Sequence, residues 1–178
     1  PALAGKRMIL DPRHVPFVMH LETQNFRPPD DEELIFSGYS LWGGEVMGID
    51  LETGLVKNYS RGFDSYEEPE GIFPDGEFTT VERVTSQMDP FEGRPRLDIW
   101  KLKLDDAGSV HINRPRTWER MTHFSEYGHF RGTNPVISDD GHYMAFQLAK
   151  STEQAGVGHG IFIFDLQEGY CDYYATSM

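Results

Sequence analysis

The sequence predicts an all-β fold made of β-propeller blades, each of four antiparallel strands: about three blades plus a partial N-terminal blade. Three observations carry this. A turn-and-strand pattern occurs three times, at Asp30-Asp31, Asp75-Gly76 and Asp140-Gly141, each with a large apolar residue (Phe36, Val81, Phe146) five places after the second turn residue. A second apolar stretch follows each copy, at Val46–Leu51, Asp98–Leu104 and Ile161–Leu166, closed by a Gly-containing turn and a last short strand. The spacing from Asp31 to Gly76 is 45 residues and from Gly76 to Gly141 is 65. The first is a blade period of roughly 40–50 residues, and the second fits one blade plus an insertion of about 20.

Taken in order, Lys6–Leu10 and Val15–Leu21 read as two strands around the turn Asp11-Pro12-Arg13, the outer half of a preceding blade or closing strands within residues 1–22. The first full blade spans residues 23–61, with strands expected at Asn25–Arg27, Leu34–Tyr39, Glu45–Leu51 and Leu55–Tyr59. The second spans 67–116, with strands at Glu70–Phe73, Phe78–Val84, Arg96–Leu104 and Ser109–Ile112. Its loop Thr85–Arg96 holds Pro90, Gly93 and Pro95 and reads as non-strand. Residues 117–132 form the insertion, whose apolar density (Trp118, Met121, Phe124, Tyr127) predicts packing against the body. The third blade takes 133–178. Asp-Gly suits each tight turn because Gly takes positive φ without a Cβ clash, and Asp31 is a side chain that tolerates the same region. No long helix is expected; Thr117–Phe124 is short and has no capping box.

A net charge of −13 argues against nucleic acid, whose binding rests on neutralising phosphates with Lys and Arg. No apolar run is long enough to span a bilayer. The single cysteine, Cys171, cannot form an intrachain disulfide and is expected in an outer strand.

Pro74-Asp75-Gly76 and Ser138-Asp139-Asp140-Gly141, each leading to a strand and then to an Ile/Phe/Trp-rich strand ending in Lys-Leu or Asp-Leu, resemble the WD-type repeats of TolB-like β-propellers over about residues 23–178. The resemblance implies a periplasmic or secreted location. It also implies a ligand at the mouth of the central channel, where the inner strands begin. That places Gln24, then Glu67, Glu68 and Glu70, then His129, Arg131 and Asn134, at the candidate ligand site. Catalytic residues are not assigned.

No cofactor is expected outright. The run Glu67, Glu68, Glu70 could hold a divalent cation such as Ca²⁺ or be a solvated loop. His123 and His129, with Gln24 or His20, could form a metal site like that of oligogalacturonate lyases, or be ordinary hydrogen-bonded histidines. There is no Gly-x-Ser-x-Gly elbow, and Gly156–Gly160 precedes a strand rather than a helix, so it is not a phosphate loop. The function expected is a non-catalytic binding or scaffold domain. The alternatives are a metal-dependent polysaccharide lyase or hydrolase, or accessory blades of a larger enzyme. Three blades leave open edges, so another chain or further blades are expected to complete the ring.

Overall fold

The computed structural model describes residues 9–10, 15, 18–41, 43–60, 65–88, 95–104, 118–126, 130–150 and 160–174. They form three four-stranded antiparallel sheets. Sheet one joins β1 (His20–Phe26), β2 (Glu33–Tyr39), β3 (Gly44–Asp50) and β4 (Val56–Asn58) in that order. Sheet two joins β5 (Glu67–Ile72), β6 (Phe78–Met88), β7 (Pro95–Lys103) and β8 (Trp118–Arg120). Sheet three joins β9 (Phe130–Ile137), β10 (Tyr143–Lys150), β11 (Gly160–Asp165) and β12 (Tyr170–Tyr174). The first strands, β1, β5 and β9, lie side by side along the sequence of sheets, so each sheet is one blade with its first strand innermost.

The repeated turns have a common chemistry. Asp31, Gly76 and Gly141 all adopt positive φ, at 57°, 68° and 72°. In each turn the preceding Asp accepts the backbone N–H two residues on: Asp30 from Glu32, Asp75 from Glu77 at 2.8 Å, Asp140 from His142 at 3.0 Å. Asp50 and Asp165 do the same for the second turns, closed by Gly54 and Gly169 at φ 73°. Gly76 and Gly54 separate two costs. At Gly54 an added Cβ meets nothing within 4 Å, so Gly54→Ala should cost only the left-handed backbone penalty of about 1–2 kcal/mol. At Gly76 a Cβ would lie 2.0 Å from the Pro28 carbonyl oxygen, so Gly76→Ala should cost clearly more. Urea midpoints of the two variants check the order.

The blades stack through alternate faces. Ile35 and Val46 of blade one meet Val81, Leu102 and Leu104 of blade two, all nearly inaccessible. Ile99 of blade two meets Met144 and Phe146 of blade three, with Phe124 tilted onto Phe146 and Phe162. Arg27, just after β1, ties blade one to blade two: its Nε donates to the Gly76 carbonyl and its Nη2 to the Leu104 carbonyl, both at 2.8 Å, while Nη1 pairs with Glu33. Asp98 organises the end of blade two. Its fully buried carboxylate accepts from Thr122 Oγ1 (2.9 Å), Arg120 Nη2 (2.7 Å) and Ser125 Oγ.

Four elements differ from the sequence pattern. The outer strand of blade two is Trp118–Arg120, within the segment assigned to the insertion; Ser109–Ile112 lies outside the described residues. A three-residue strand bearing two charges has no periodicity to read. Thr85–Met88 continues β6, because the breakers begin only at Pro90, and Pro95 opens β7, where a proline is tolerated as first residue. The inner strands begin earlier than expected, at His20 and Glu67. Finally, Ile9, Leu10, Val15, Val18 and Met19 are not in strands, while His20 and Leu21 of the expected Val15–Leu21 strand belong to β1; residues 6–8, 11–14, 16 and 17 lie outside the described residues. Leu10, Val15 and Val18 instead cover the outer face of blade one, against Leu34, Phe36, Met47 and Ile49.

Candidate functional site

Each inner strand carries a bulge at nearly the same level. Gln24 is skipped where Thr23 pairs with Phe36 and Asn25 with Ile35. Glu70 and Gly71 are skipped between the Pro69–Val81 and Ile72–Thr79 pairs. Asn134 and Pro135 are skipped between the Thr133–Gln147 and Val136–Ala145 pairs, with Asn134 at φ 52°. A bulge frees its residue from the ladder and re-aims it. The bulges also touch one another: the Asn25 side-chain amide donates to the Glu70 carbonyl, and a Cβ on Gly71 would sit 3.1 Å from the Pro135 carbonyl oxygen.

Beside the bulges lies a cavity of about 430 Å³ shared by the three blades. Blade one contributes Glu22 and Gln24; blade two Tyr66, Glu68, Glu70, Glu82 and Leu97; blade three Arg131, Thr133, Asn134, Gln147 and Ala149. Carboxylate oxygens of Glu68, Glu70 and Glu82 all lie within 4.8 Å of one another. That spread fits oxygens around one hard cation at metal–oxygen distances of about 2.3–2.6 Å.

Electrostatics sharpen the point. Burial pushes the Glu70 carboxyl up to about 8, and Glu82, Glu68 and Glu22 add to it. Burial also raises Glu82 to about 7; the Asn134 N–H, donating to Glu82 Oε1 at 2.5 Å, and the nearby Arg131 oppose it, while Glu68 adds to it. Glu68 is raised by burial too, against the hydrogen bond from Tyr39. The Tyr39 hydroxyl lies 2.5 Å from Glu68 and 3.1 Å from Glu22, and its one proton serves only one of them at a time. Tyr66 caps the other Glu68 oxygen. The cluster is short of positive charge and holds its carboxylates at the cost of repulsion.

Three sheets stacked through alternate faces, with their first strands abreast, are matched among solved structures. The chain is similar to the putative TolB from Agrobacterium tumefaciens, at 14% identity and TM-score 0.63, over 87% of this chain and 49% of that one. It is similar to TolB from Acinetobacter baumannii at 18% identity and TM-score 0.54, over 81% of this chain and 30% of that one. A prolyl endopeptidase matches at 15% identity and TM-score 0.64, over 93% of this chain and 23% of that one. The fold is a TolB-like β-propeller arc. The chain spans less than half the length of each of these proteins. No protein-family model matches the chain, and no curated protein matches it in sequence. No helix among the described residues is long and apolar enough to cross a membrane.

In the propeller arc, Gln24, Glu68, Glu70, Arg131 and Asn134 come together around the cavity; His129 lies outside the described residues. Glu67 does not join them. The run from Glu67 is strand rather than loop, so side chains alternate and Glu67 turns to the opposite face. There, fully buried, it accepts from Arg83 Nε at 3.0 Å, and burial raises it to about 7. The Arg83 guanidinium lies over Trp100 and Trp118. His123 pairs with the exposed Glu126, and His20 stacks on Tyr39; neither lines the cavity. Glu22 and Glu82 are the additions. Glu82 is the cross-strand partner of Glu68, a pairing that counting back from the Asp75-Gly76 turn would find only if the bulge were known.

Proposed function

We propose that this chain is a non-catalytic propeller arc that binds a positively charged ligand, in the first instance a divalent cation, at the inner-strand cavity. The observation that carries this is the convergence of Glu68, Glu70 and Glu82 within 4.8 Å, on two strands bent by a bulge. Gln24, Asn134 and Gln147 offer neutral carbonyl oxygens beside them, as hard cations prefer. The same Glu cluster, with Gln24 and Arg131 beside it, also suits the metal-dependent lyase or hydrolase reading, and cleavage of acidic oligosaccharides would favour it over the binding domain. The likeness to a prolyl endopeptidase, 23% of whose chain is covered, also suits accessory blades of a larger enzyme. Another chain or further blades complete the ring, and the TolB resemblance extends to a periplasmic or secreted location.

Calorimetric titration with Ca²⁺, or terbium luminescence, tests the site. One saturable site is expected in the unaltered protein. Glu70→Gln and Glu82→Gln should each weaken it by at least the ~10–100-fold that losing a supporting partner costs at a metal site. His123→Ala, outside the cavity, should leave it unchanged. A protein that binds neither ion refutes the reading.

A further inference from the structure

The cavity at the inner-strand bulges carries a guanidinium that the fold does not use. Four other arginines are described, and each is held: Arg27 by Glu33, Arg83 by Glu67, Arg120 by Asp98, and Arg96 by the Ser125 carbonyl. Arg131, on β9, lines the cavity, yet among the described residues no hydrogen bond or close ion pair holds its guanidinium. Its Nε is shut off from solvent and still lacks an acceptor. A charged donor left without a partner costs free energy that a bound acceptor recovers. The carboxylates of the same cavity are under-used in the opposite sense. Glu82 is only 5% exposed, and among the described residues its one hydrogen bond comes from the Asn134 N–H to Oε1. The Glu70 carboxylate receives none among the described residues.

We infer that the ligand of this cavity is a zwitterion with a primary ammonium and a carboxylate, as in a free α-amino acid. The ammonium lies among Glu68, Glu70 and Glu82, and the carboxylate lies on Arg131. An ammonium has three N–H donors and no acceptor. Three carboxylate oxygens set tetrahedrally around it at about 2.8 Å stand about 4.6 Å apart. That fits inside the 4.8 Å spread of these three side chains. A guanidinium takes a carboxylate with two parallel N–H donors. The charges select the same ligand. With Glu22, four carboxylates line the cavity against one guanidinium, so a dianion such as inorganic phosphate is repelled. A bare amine or a lone metal ion leaves Arg131 unpaired. A molecule with one group of each sign answers both, and the cavity of about 430 Å³ has room for it.

This rests on the reading of the cavity as a site for positive charge, but not on that charge being a metal ion. Calorimetric titration of the 178-residue protein is the test, with the free α-amino acids, methylamine, acetate and Ca²⁺ as separate probes at one pH and salt concentration. At least one amino acid should bind about tenfold or more tighter than either methylamine or acetate, and Ca²⁺ should compete with it. Arg131→Gln should bring that amino acid down to the level of methylamine. The same substitution should tighten Ca²⁺, because it removes a positive charge that acts on Glu82. A merely structural Arg131 would weaken both. Glu70→Gln should weaken the amino acid, methylamine and Ca²⁺ alike. The comparison of probes on the unaltered protein stands whether or not either variant folds. No amino acid that outbinds methylamine and acetate tenfold, or amino-acid binding that a folded Arg131→Gln leaves intact, would overturn the inference. Ca²⁺ binding without amino-acid binding would remove the zwitterion and leave the metal site standing; amino-acid binding in a protein blind to Ca²⁺ would do the reverse.

Discussion

Asp98→Ala should be among the most damaging single substitutions in the chain, lowering stability by about 3–5 kcal/mol. Asp98 is fully inaccessible, and its two oxygens hold Arg120, Thr122 and Ser125. These three residues join β8 and the short 3-10 turn Phe124–Glu126 to the body of blade two. Removing the carboxylate leaves a partly buried guanidinium with only the exposed Glu126 as its anion, and two hydroxyls without their acceptor. The turn also carries Phe124 into the packing between blades two and three, so the damage crosses the interface. Ser125→Ala removes two hydrogen bonds, one to Asp98 and one from Arg120, and should cost about 1–2 kcal/mol. Equilibrium urea unfolding measures both. Equal, small losses would mean that the network adds little to the sheet.

The second large effect is a stability that falls as pH rises. Glu70 titrates near 8 and Glu82 near 7 in the folded chain, against an ordinary value of 4.5. Both therefore bind protons more tightly folded than unfolded. Their contribution is fully present below about pH 4.5 and is lost as pH climbs through 7 to 8. Glu67, near 7, acts in the same sense from the other face of β5. Between pH 5 and 7 the expected decline is on the order of 1 kcal/mol per pH unit for Glu67 and Glu82. Glu70, which solvent screens more, adds less over a range that reaches pH 8. Glu70→Gln should flatten the slope, because an amide cannot titrate. Ca²⁺ should flatten it as well, because a bound cation favours the ionised carboxylates. Thermal midpoints at several pH values, with and without Ca²⁺, give the result. A metal-free stability that rises from pH 5 to 8 would contradict the cluster as described.

The frame of the molecule was readable because the turns are chemical. Asp followed by a residue that accepts positive φ marks the first hairpin of each blade, and apolar residues at fixed offsets mark the strands behind it. The candidate site was readable by position only. Gln24, Glu70 and Asn134 were placed near the start of the inner strands, but nothing in the sequence announces that they are bulged. A bulge shifts register by one residue, and one residue decides which face a side chain takes. Glu67 reads as part of one acidic loop with Glu68 and Glu70, whereas the segment is strand and simple alternation turns Glu67 to the buried pair with Arg83. Glu82 sits in a strand that reads as core, Thr80-Val81-Glu82-Arg83-Val84, so its sequence neighbours do not mark it. Trp118–Arg120 is held as a strand by pairing with β7 rather than by any pattern of its own.

The bulges carry a consequence for how such a surface can change. Gln24 and Glu70 stand outside the ladder, so exchanging their side chains need not disturb strand pairing. The recognition chemistry of the mouth is thereby uncoupled from the scaffold that presents it, and basic or aromatic replacements at these two positions could redirect it toward a different class of molecule. Asn134 has less latitude, since its left-handed backbone suits Asn, Asp or Gly above other residues.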